Sequence, residues 1–215
     1  MHLYNAILFD FDGTLAKTME DHFQAWQFVL KGYGISLTPE EYYPVEGTSM
    51  LELAKTYLKK GVKCGIAPQE IVKKKDDYYL KNYKFELYPG VLEWIPLLSK
   101  KIPLGIVTSG LKNRINQSVP KDFLDYFKVL ITADDTEQGK PFPDPYLAGA
   151  KSLGVLPADC IVIENAPIGI QAAKTAGCHC VAVCSTLKKS YLKDADEVVE
   201  SFNSLPGLKI LKELK

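Results

Sequence analysis

Apolar runs of strand length alternate with helical patterns in this chain from about residue 88 onward. The runs predict strands at Ala6–Phe9, Leu104–Val107, Val129–Thr132, Cys160–Ile163, Cys180–Val183 and, more weakly, Glu197–Val199. Helices are expected between them, at Val91–Ser99, Lys112–Ser118, Asp144–Leu153 and Ile168–Ala176. Strands that alternate with helices form parallel sheets whose two faces are both covered. The pattern therefore predicts an α/β fold built on a parallel sheet.

Residues 16–87 have a different pattern, because helical periodicity dominates and no convincing strand is present. Helices are predicted at Met19–Lys31, in a short piece from Pro39, at Ser49–Lys60 and at Pro68–Tyr83. An all-helical insertion between the first and second strands is the simplest account. We thus predict an α/β core of residues 1–15 plus 88–215 and a helical domain of residues 16–87.

The chain carries 26 basic and 26 acidic residues among 215. Zero net charge argues against nucleic acid or an anionic membrane as the main partner, because both select a basic excess. The basic residues are 25 lysines and a single arginine, Arg114. The bidentate arginine fork is therefore available at one place only, and anion recognition elsewhere must use lysine, backbone N–H groups, helix N-termini or a metal ion.

No targeting segment is visible in the sequence, and no apolar run approaches the ~20 residues of a membrane span. We therefore expect a cytoplasmic protein with no membrane partner, either a monomer or a small homo-oligomer. Five cysteines are present, and this odd number favours reduced thiols over disulfides. Cys178, Cys180 and Cys184 alternate along one strand face, which favours buried apolar side chains over a thiolate metal site.

The first predicted strand ends in two carboxylates, Asp10 and Asp12, which are followed by Gly13. Alternation places both carboxylates on one side of the strand, ~6–7 Å apart if the chain stays extended. They lie at the carboxyl edge of the sheet, where α/β folds bind ligands. Two acids so placed repel each other unless a cation or a shared proton compensates them. A simple turn explains Asp12-Gly13 but leaves Asp10 without a role.

Four motifs, in order along the chain, resemble those of the haloacid dehalogenase superfamily of phosphotransferases. They are Asp10-Phe11-Asp12-Gly13-Thr14, Gly105-Ile106-Val107-Thr108-Ser109-Gly110, Gly139-Lys140-Pro141-Phe142-Pro143-Asp144 and Ile161-Val162-Ile163-Glu164-Asn165. Four ordered motifs on the expected elements are far more specific than one short pattern. The resemblance implies a Rossmann-like parallel α/β core with an inserted all-helical cap domain.

The resemblance also implies catalytic roles. Asp10 would attack phosphorus and form an aspartyl-phosphate, and Asp12 would act as general acid and base. Lys140 would supply positive charge to the nucleophile and the transferring oxygens. Thr108 would hydrogen-bond the phosphoryl group, together with the N–H groups of Ser109 and Gly110.

The implied cofactor is Mg²⁺, because every candidate ligand offers oxygen. The candidate ligands are Asp10, Asp12, Glu164 and Asn165. Asn165 stands where the nearest subgroup has Asp, so the site loses one anionic ligand but keeps an amide oxygen.

The insertion resembles the cap of the β-phosphoglucomutase-like subgroup, in which a Thr and a His follow the first motif. Thr18 and His22 occupy these positions, and Lys75 matches a cap lysine of the mutases. For His22 a solvated or capping role competes, and for Lys75 a solvated lysine-rich helix face competes. The predicted substrate-binding residues are Thr14, His22, Gly47, Lys75, Ser109 and Gly110.

The mutases carry a Lys-Gly-Val-Ser-Arg stretch whose Arg grips the phosphate that does not react. This chain has Glu46-Gly47-Thr48-Ser49-Met50, and neither Glu46 nor Met50 can bind a phosphate dianion. Together with the scarcity of arginine, this favours a Mg²⁺-dependent phosphatase that hydrolyses a small, singly phosphorylated metabolite such as a sugar phosphate.

Other functions remain open beside the phosphatase. The first is a β-phosphoglucomutase-like sugar-phosphate mutase, and the second is a non-catalytic descendant that only binds phosphate compounds. A true dehalogenase lacks the second carboxylate, so Asp12 argues against it. A phospho-accepting signalling module lacks a long helical insertion after its first strand.

Overall fold

The computed structural model describes residues 3–61 and 65–212 and confirms the predicted α/β fold. Within these residues, six parallel strands form one sheet in the order β3-β2-β1-β4-β5-β6. The strands are β1 (Ala6–Phe9), β2 (Leu104–Val107), β3 (Val129–Ile131), β4 (Cys160–Glu164), β5 (His179–Val183) and β6 (Glu197–Val199). β1 lies at the centre, between β2 and β4.

Both faces of the sheet are covered, which explains why the central strands are continuous apolar runs. Ile7 and Phe9 of β1 pack into one buried cluster, whereas Leu8 packs into another on the opposite face. The covering helices are α5 (Val91–Leu98), α6 (Lys112–Ser118), α7 (Lys121–Leu124), α8 (Asp144–Leu153), α9 (Pro167–Thr175) and α10 (Lys209–Lys212).

The residues between β1 and β2 form helices with a hydrophobic cluster of their own, which includes Trp26, Leu53 and Ile71. The helices are α1 (Met19–Lys31), α2 (Pro39–Tyr42), α3 (Met50–Leu58) and α4 (Pro68–Asn82). We refer to residues 16–87 as the cap segment. The division of the chain into two domains stays a prediction.

The clearest boundary difference is at β3, which ends one residue earlier than predicted. The backbone N–H and the hydroxyl of Thr132 both donate to the Asp135 carboxylate, 2.8 and 2.6 Å away. Thr132 therefore caps the following turn instead of extending the strand.

Cys160, Cys178, Cys180 and Cys184 are free thiols, as expected, and Cys64 lies outside the described residues. Over residues 3–61 and 65–212, no helix is both long and apolar enough to cross a membrane.

Candidate active site

Three predicted site residues come together because β1, β2 and β4 end at one edge of the sheet. Phe9 is in register with Ile106 of β2 and with Ile163 of β4, so the residues after them are level. Asp10 and Thr108 directly follow their strands, and Glu164 is the last residue of β4.

Lys140 bridges the ends of β1 and β4. Its ammonium lies 2.7 Å from Asp10 Oδ1 and 2.7 Å from Glu164 Oε1, and it is only 2% exposed. The Tyr146 hydroxyl donates to the same Glu164 oxygen at 2.7 Å. Burial raises the pKa of Asp10 to about 7, against the opposing effect of Lys140. Asp10 Oδ2 is buried and has no hydrogen-bond partner among the described atoms, so this oxygen is free to act as a nucleophile or to bind a cation.

Asp12 is enclosed by hydrogen-bond donors. Thr18 Oγ1 and His22 Nε2 lie 2.8 and 3.1 Å from its Oδ1, and the Arg114 guanidinium donates to both oxygens, at 3.3 and 2.5 Å. Burial alone would raise the pKa of Asp12, but Arg114 and His22 outweigh it and hold that pKa well below its usual range. Asp12 is therefore a carboxylate in this arrangement.

Arg114 is the functional residue that the sequence interpretation missed. It is 2% exposed, it is the only arginine of the chain, and it lies on α6 with its guanidinium on Asp12. The scarcity of arginine therefore does not favour a singly phosphorylated substrate, because the one arginine of the chain lies in the site. The sequence did contain a clue to this position, because Arg114 lies on the helix that directly follows the Thr108 motif.

Gly110 leaves the space that Arg114 occupies. A Cβ atom at Gly110 would lie 2.0 Å from Arg114 Nη2. The Gly110 N–H donates to Thr108 Oγ1 at 3.0 Å, so this N–H is not free for a phosphoryl group in this arrangement. Ser109 also has a partner, since its hydroxyl donates to the Gly47 carbonyl oxygen at 2.5 Å and ties the cap segment to the core.

His22 and Lys75 are both buried, so the solvated interpretations of these two residues are wrong. Lys75 Nζ lies 2.9 Å from His22 Nδ1 and 3.1 Å from the Asp76 carboxylate. The His22 ring stacks on Tyr79 with centroids 4.2 Å apart. Burial lowers the pKa of His22 to about 4, helped by Lys75, and burial lowers the pKa of Lys75 to about 8. Their roles in substrate binding stay predictions.

The burial of His22 is expected to make the stability of the fold depend on pH. Between about pH 6.5 and 4 the unfolded chain binds a proton at His22 that the folded chain does not, so stability should fall as the pH drops through this window. The loss is at most about 3.4 kcal/mol. Urea unfolding across the window should show a flatter pH dependence for His22→Gln than for wild type. His179→Gln is the control, because His179 is a partly exposed histidine. If the free energy of unfolding had the same pH dependence in wild type and in His22→Gln, the lowered pKa of His22 would be contradicted.

Asn165 connects three segments of the chain. Its amide oxygen accepts from Thr14 Oγ1 at 3.1 Å, and its amide nitrogen donates to Glu46 Oε1 and, at 3.0 Å, to Thr186 Oγ1. Thr14 is fully buried and its hydroxyl donates to Asn165, and its role in substrate binding stays a prediction. Glu46 is 1% exposed and is a second residue that the sequence interpretation did not place in the site.

The carboxylates of the site determine whether a divalent cation fits there. Among the described residues no three Asp, Glu, His or Cys side chains form a ready metal cage. However, Asp10 Oδ2 and Glu46 Oε2 are both buried without partners among the described atoms. A buried carboxylate oxygen without a partner lowers the stability of the fold, and oxygen is the ligand that Mg²⁺ prefers. The residues at this edge therefore fit a hard cation at the free oxygen of Asp10.

Two cavities meet at the site. The smaller, about 50 Å³, is lined by Asp10, Asp12, His22, Gly47, Lys75, Thr108, Glu164 and Asn165, among others. The larger, about 620 Å³, lies between α3, α4 and the core, and its polar lining includes Ser49, Gln69, Asp76, Asn113, Thr132 and Thr136. Met50, Thr108, Ser109 and Arg114 line both. The larger cavity has the size of a small-molecule pocket.

Comparison with known proteins shows the family to which this chain belongs. Residues 7–183 match the family model described as haloacid dehalogenase-like hydrolase, and the chain belongs to this family. Hexitol phosphatase A of Escherichia coli (strain K12) is 30% identical over 92% of this chain and 91% of its own length. The crystal structure of β-phosphoglucomutase from Clostridium difficile superposes with a TM-score of 0.84 at 26% identity, over 99% of this chain and 97% of that chain.

A longer relative is also similar. Protein SUPPRESSOR OF QUENCHING 1, chloroplastic, of Arabidopsis thaliana is 33% identical over 89% of this chain. The matched region makes up only 19% of that longer protein. Because several relatives are named as phosphatases, this chain is assigned as a hydrolase of phosphate esters.

Proposed function

We propose that this chain is a Mg²⁺-dependent phosphatase that hydrolyses a phosphorylated sugar or sugar alcohol through an aspartyl-phosphate. The observation that carries the proposal is the buried Asp10. Its Oδ1 is held by Lys140, its Oδ2 is free, and the Asp12 carboxylate is two residues further along the chain at the same cavity.

In the first step, Asp10 Oδ2 attacks phosphorus and the ester P–O bond breaks. Asp12 gives its proton to the leaving oxygen, so a neutral alcohol departs. Arg114 favours the ionised form of Asp12 in this arrangement, so Asp12 must gain a proton before this step. That proton is the one taken from water in the second step of the preceding turnover or, in the first turnover, the proton of a singly protonated phosphate ester.

In the second step, water attacks the phosphorus of the aspartyl-phosphate and gives a proton to ionised Asp12. The P–Oδ2 bond breaks, which releases inorganic phosphate and restores Asp10. The contacts from Thr18, His22 and Arg114 suit this step, because they keep Asp12 ionised as a base.

The residues proposed to hold Mg²⁺ are Asp10, Asp12, Glu164 and Asn165, and Asp10 offers a free buried oxygen. Members of this family generally use that ion. When bound, Mg²⁺ would neutralise charge on Asp10 and the phosphoryl oxygens. Lys140 would hold Asp10 in place from the other side at 2.7 Å.

The larger cavity supports a hydroxyl-rich leaving group. Its walls offer hydroxyl, amide and carboxylate groups, and the Thr136 Oγ1 that lines it is buried without a partner among the described atoms. A sugar or sugar alcohol could satisfy these groups, and two relatives are named for hexitol and glucose phosphates.

The test is phosphate release from a panel of sugar and sugar-alcohol phosphates, with Mg²⁺ and with EDTA. Hydrolysis of at least one ester should fall to background in EDTA and return when Mg²⁺ is restored. If no ester is hydrolysed but one raises the melting temperature, the non-catalytic descendant would be favoured instead.

A sugar-phosphate mutase is the second candidate, and Arg114 is the observation that favours it. Arg114 lines both cavities, and its Nε is buried without a partner among the described atoms, so a donor that Asp12 does not use is left for a second phosphate. A mutase would interconvert hexose 1- and 6-phosphates in the presence of a sugar bisphosphate, without net phosphate release. A coupled assay that shows no interconversion would exclude it.

A further inference from the structure

Two unusual residues of this chain, Glu46 and Asn165, touch each other. They are 119 positions apart in the sequence, and Asn165 Nδ2 donates to Glu46 Oε1. Thr186 Oγ1 accepts from Asn165 at 3.0 Å and donates to the same Glu46 oxygen at 2.8 Å. Asn165 lacks the charge that the fourth motif usually carries, and Glu46 adds a charge in the cap segment. The two departures are therefore one connected arrangement.

Only one oxygen of Glu46 is used by these contacts. Its Oε2 is buried and without a partner among the described atoms, as is Asp10 Oδ2. Glu46 contacts Asn165, and both Asn165 and Gly47, the residue after Glu46, line the smaller cavity together with Asp10. One unsatisfied carboxylate oxygen therefore comes from the core and one from the cap segment. A cation could satisfy both of them.

The balance of buried charge points in the same direction. Four buried or nearly buried carboxylates belong to this edge: Asp10, Asp12, Glu46 and Glu164. Two cations are bonded to this group, Lys140 to Asp10 and Glu164 and Arg114 to Asp12. Lys75 has a carboxylate of its own in Asp76. Counted as carboxylates, the four acids outnumber these two cations by two. Burial and the charges of Asp10, Glu164 and Asp12 raise the pKa of Glu46 well above its usual range, and a divalent cation would neutralise the excess.

We propose that Glu46 supplies, from the cap segment, the negative charge that Asn165 lacks, so that core and cap hold the divalent cation together. This rests on the proposed function, which requires such a cation. Asn165 then serves to orient Glu46 through its amide nitrogen, and Thr14 fixes the amide through its oxygen.

The arrangement couples cation binding to closure of the cap segment. Gly47, next to Glu46, accepts a hydrogen bond from Ser109 Oγ at 2.5 Å, so this segment already docks on the core. A cation bound by Glu46 and Asp10 favours the docked form, and docking favours the cation to the same extent.

Isothermal titration with Mg²⁺, and Mn²⁺ binding followed by electron paramagnetic resonance, test this on folded protein without substrate. Glu46→Gln keeps the side-chain shape and an oxygen that accepts from Asn165 and Thr186, and it removes only the charge. We expect its Mg²⁺ affinity to drop roughly 10–100-fold. Glu46→Gln combined with Asn165→Asp should recover affinity to within about threefold of wild type, because the acid returns to the core.

Glu52→Gln is the matched control, since Glu52 is exposed and forms its ion pair with Lys55, on the same helix. Melting temperatures establish that all variants are folded. Unchanged Mg²⁺ affinity in Glu46→Gln, or no recovery in the double variant, overturns the assignment of Glu46. If wild type binds neither Mg²⁺ nor Mn²⁺, the metal-dependent function and this inference both fail. If the metal results hold but no ester is hydrolysed, only the proposed function fails.

Discussion

Asp10→Asn is expected to lower phosphate release by at least about 10⁴-fold, since it removes the attacking oxygen. The amide has nearly the same volume, and Lys140 can keep its 2.7 Å contact with Glu164. The fold should therefore survive while the chemistry stops. The measurement is the steady-state rate of phosphate release with the best ester from the substrate panel.

Asp194→Asn is the matched control for this substitution, because Asp194 is exposed and outside the site. Its rate should equal that of wild type. Full activity in Asp10→Asn, with a normal melting temperature, would contradict the nucleophilic role of Asp10.

Lys140→Met is expected to have the largest effect on stability, about 3–5 kcal/mol, because it breaks buried ion pairs. Without the ammonium, Asp10 and Glu164 face each other in a dry environment with no positive partner. Activity should also be lost, since Lys140 fixes the nucleophile. Urea unfolding and phosphate release measure the two effects.

The destabilisation by Lys140→Met should depend on pH. Burial already places the pKa of Asp10 at about 7, and loss of Lys140 raises it further above the unfolded value of 3.8. An acid whose folded pKa is raised costs more stability as the pH rises, so the penalty should be smaller near pH 5 than near pH 8. Lys193→Met, at an exposed position, should change neither quantity. A penalty independent of pH would contradict the electrostatic explanation.

The sheet could be predicted because it depends on the local pattern of apolar residues. The edge that carries the candidate site could be predicted because it follows from the topology of a parallel sheet. A run such as Ile7 to Phe9 has no polar position, since both faces of β1 are buried. Residues that end parallel strands must meet at one edge, which brings Asp10, Thr108 and Glu164 together without knowledge of any side-chain contact.

Arg114 and Glu46 could not be placed in this way. Arg114 belongs to a polar helix that looks solvated in sequence, and only the docking of α6 beside α4 buries it against Tyr79 and Asp12. Glu46 lies in the cap segment, and its partners Asn165 and Thr186 come from distant parts of the core. Such contacts depend on how the cap segment docks, which local periodicity does not encode.

Asp10 is proposed to carry the phosphoryl group between the two steps of the reaction. p-Nitrophenyl phosphate tests it directly, because its leaving group needs no proton, and Asp12→Asn should slow water attack so that the intermediate accumulates. Rapid acid quench followed by borohydride reduction converts an aspartyl-phosphate into homoserine, which peptide mass spectrometry can locate. Homoserine at position 10, absent without substrate, is the expected result. Modification at another residue, or none under conditions where phosphate is still released, would contradict the claim.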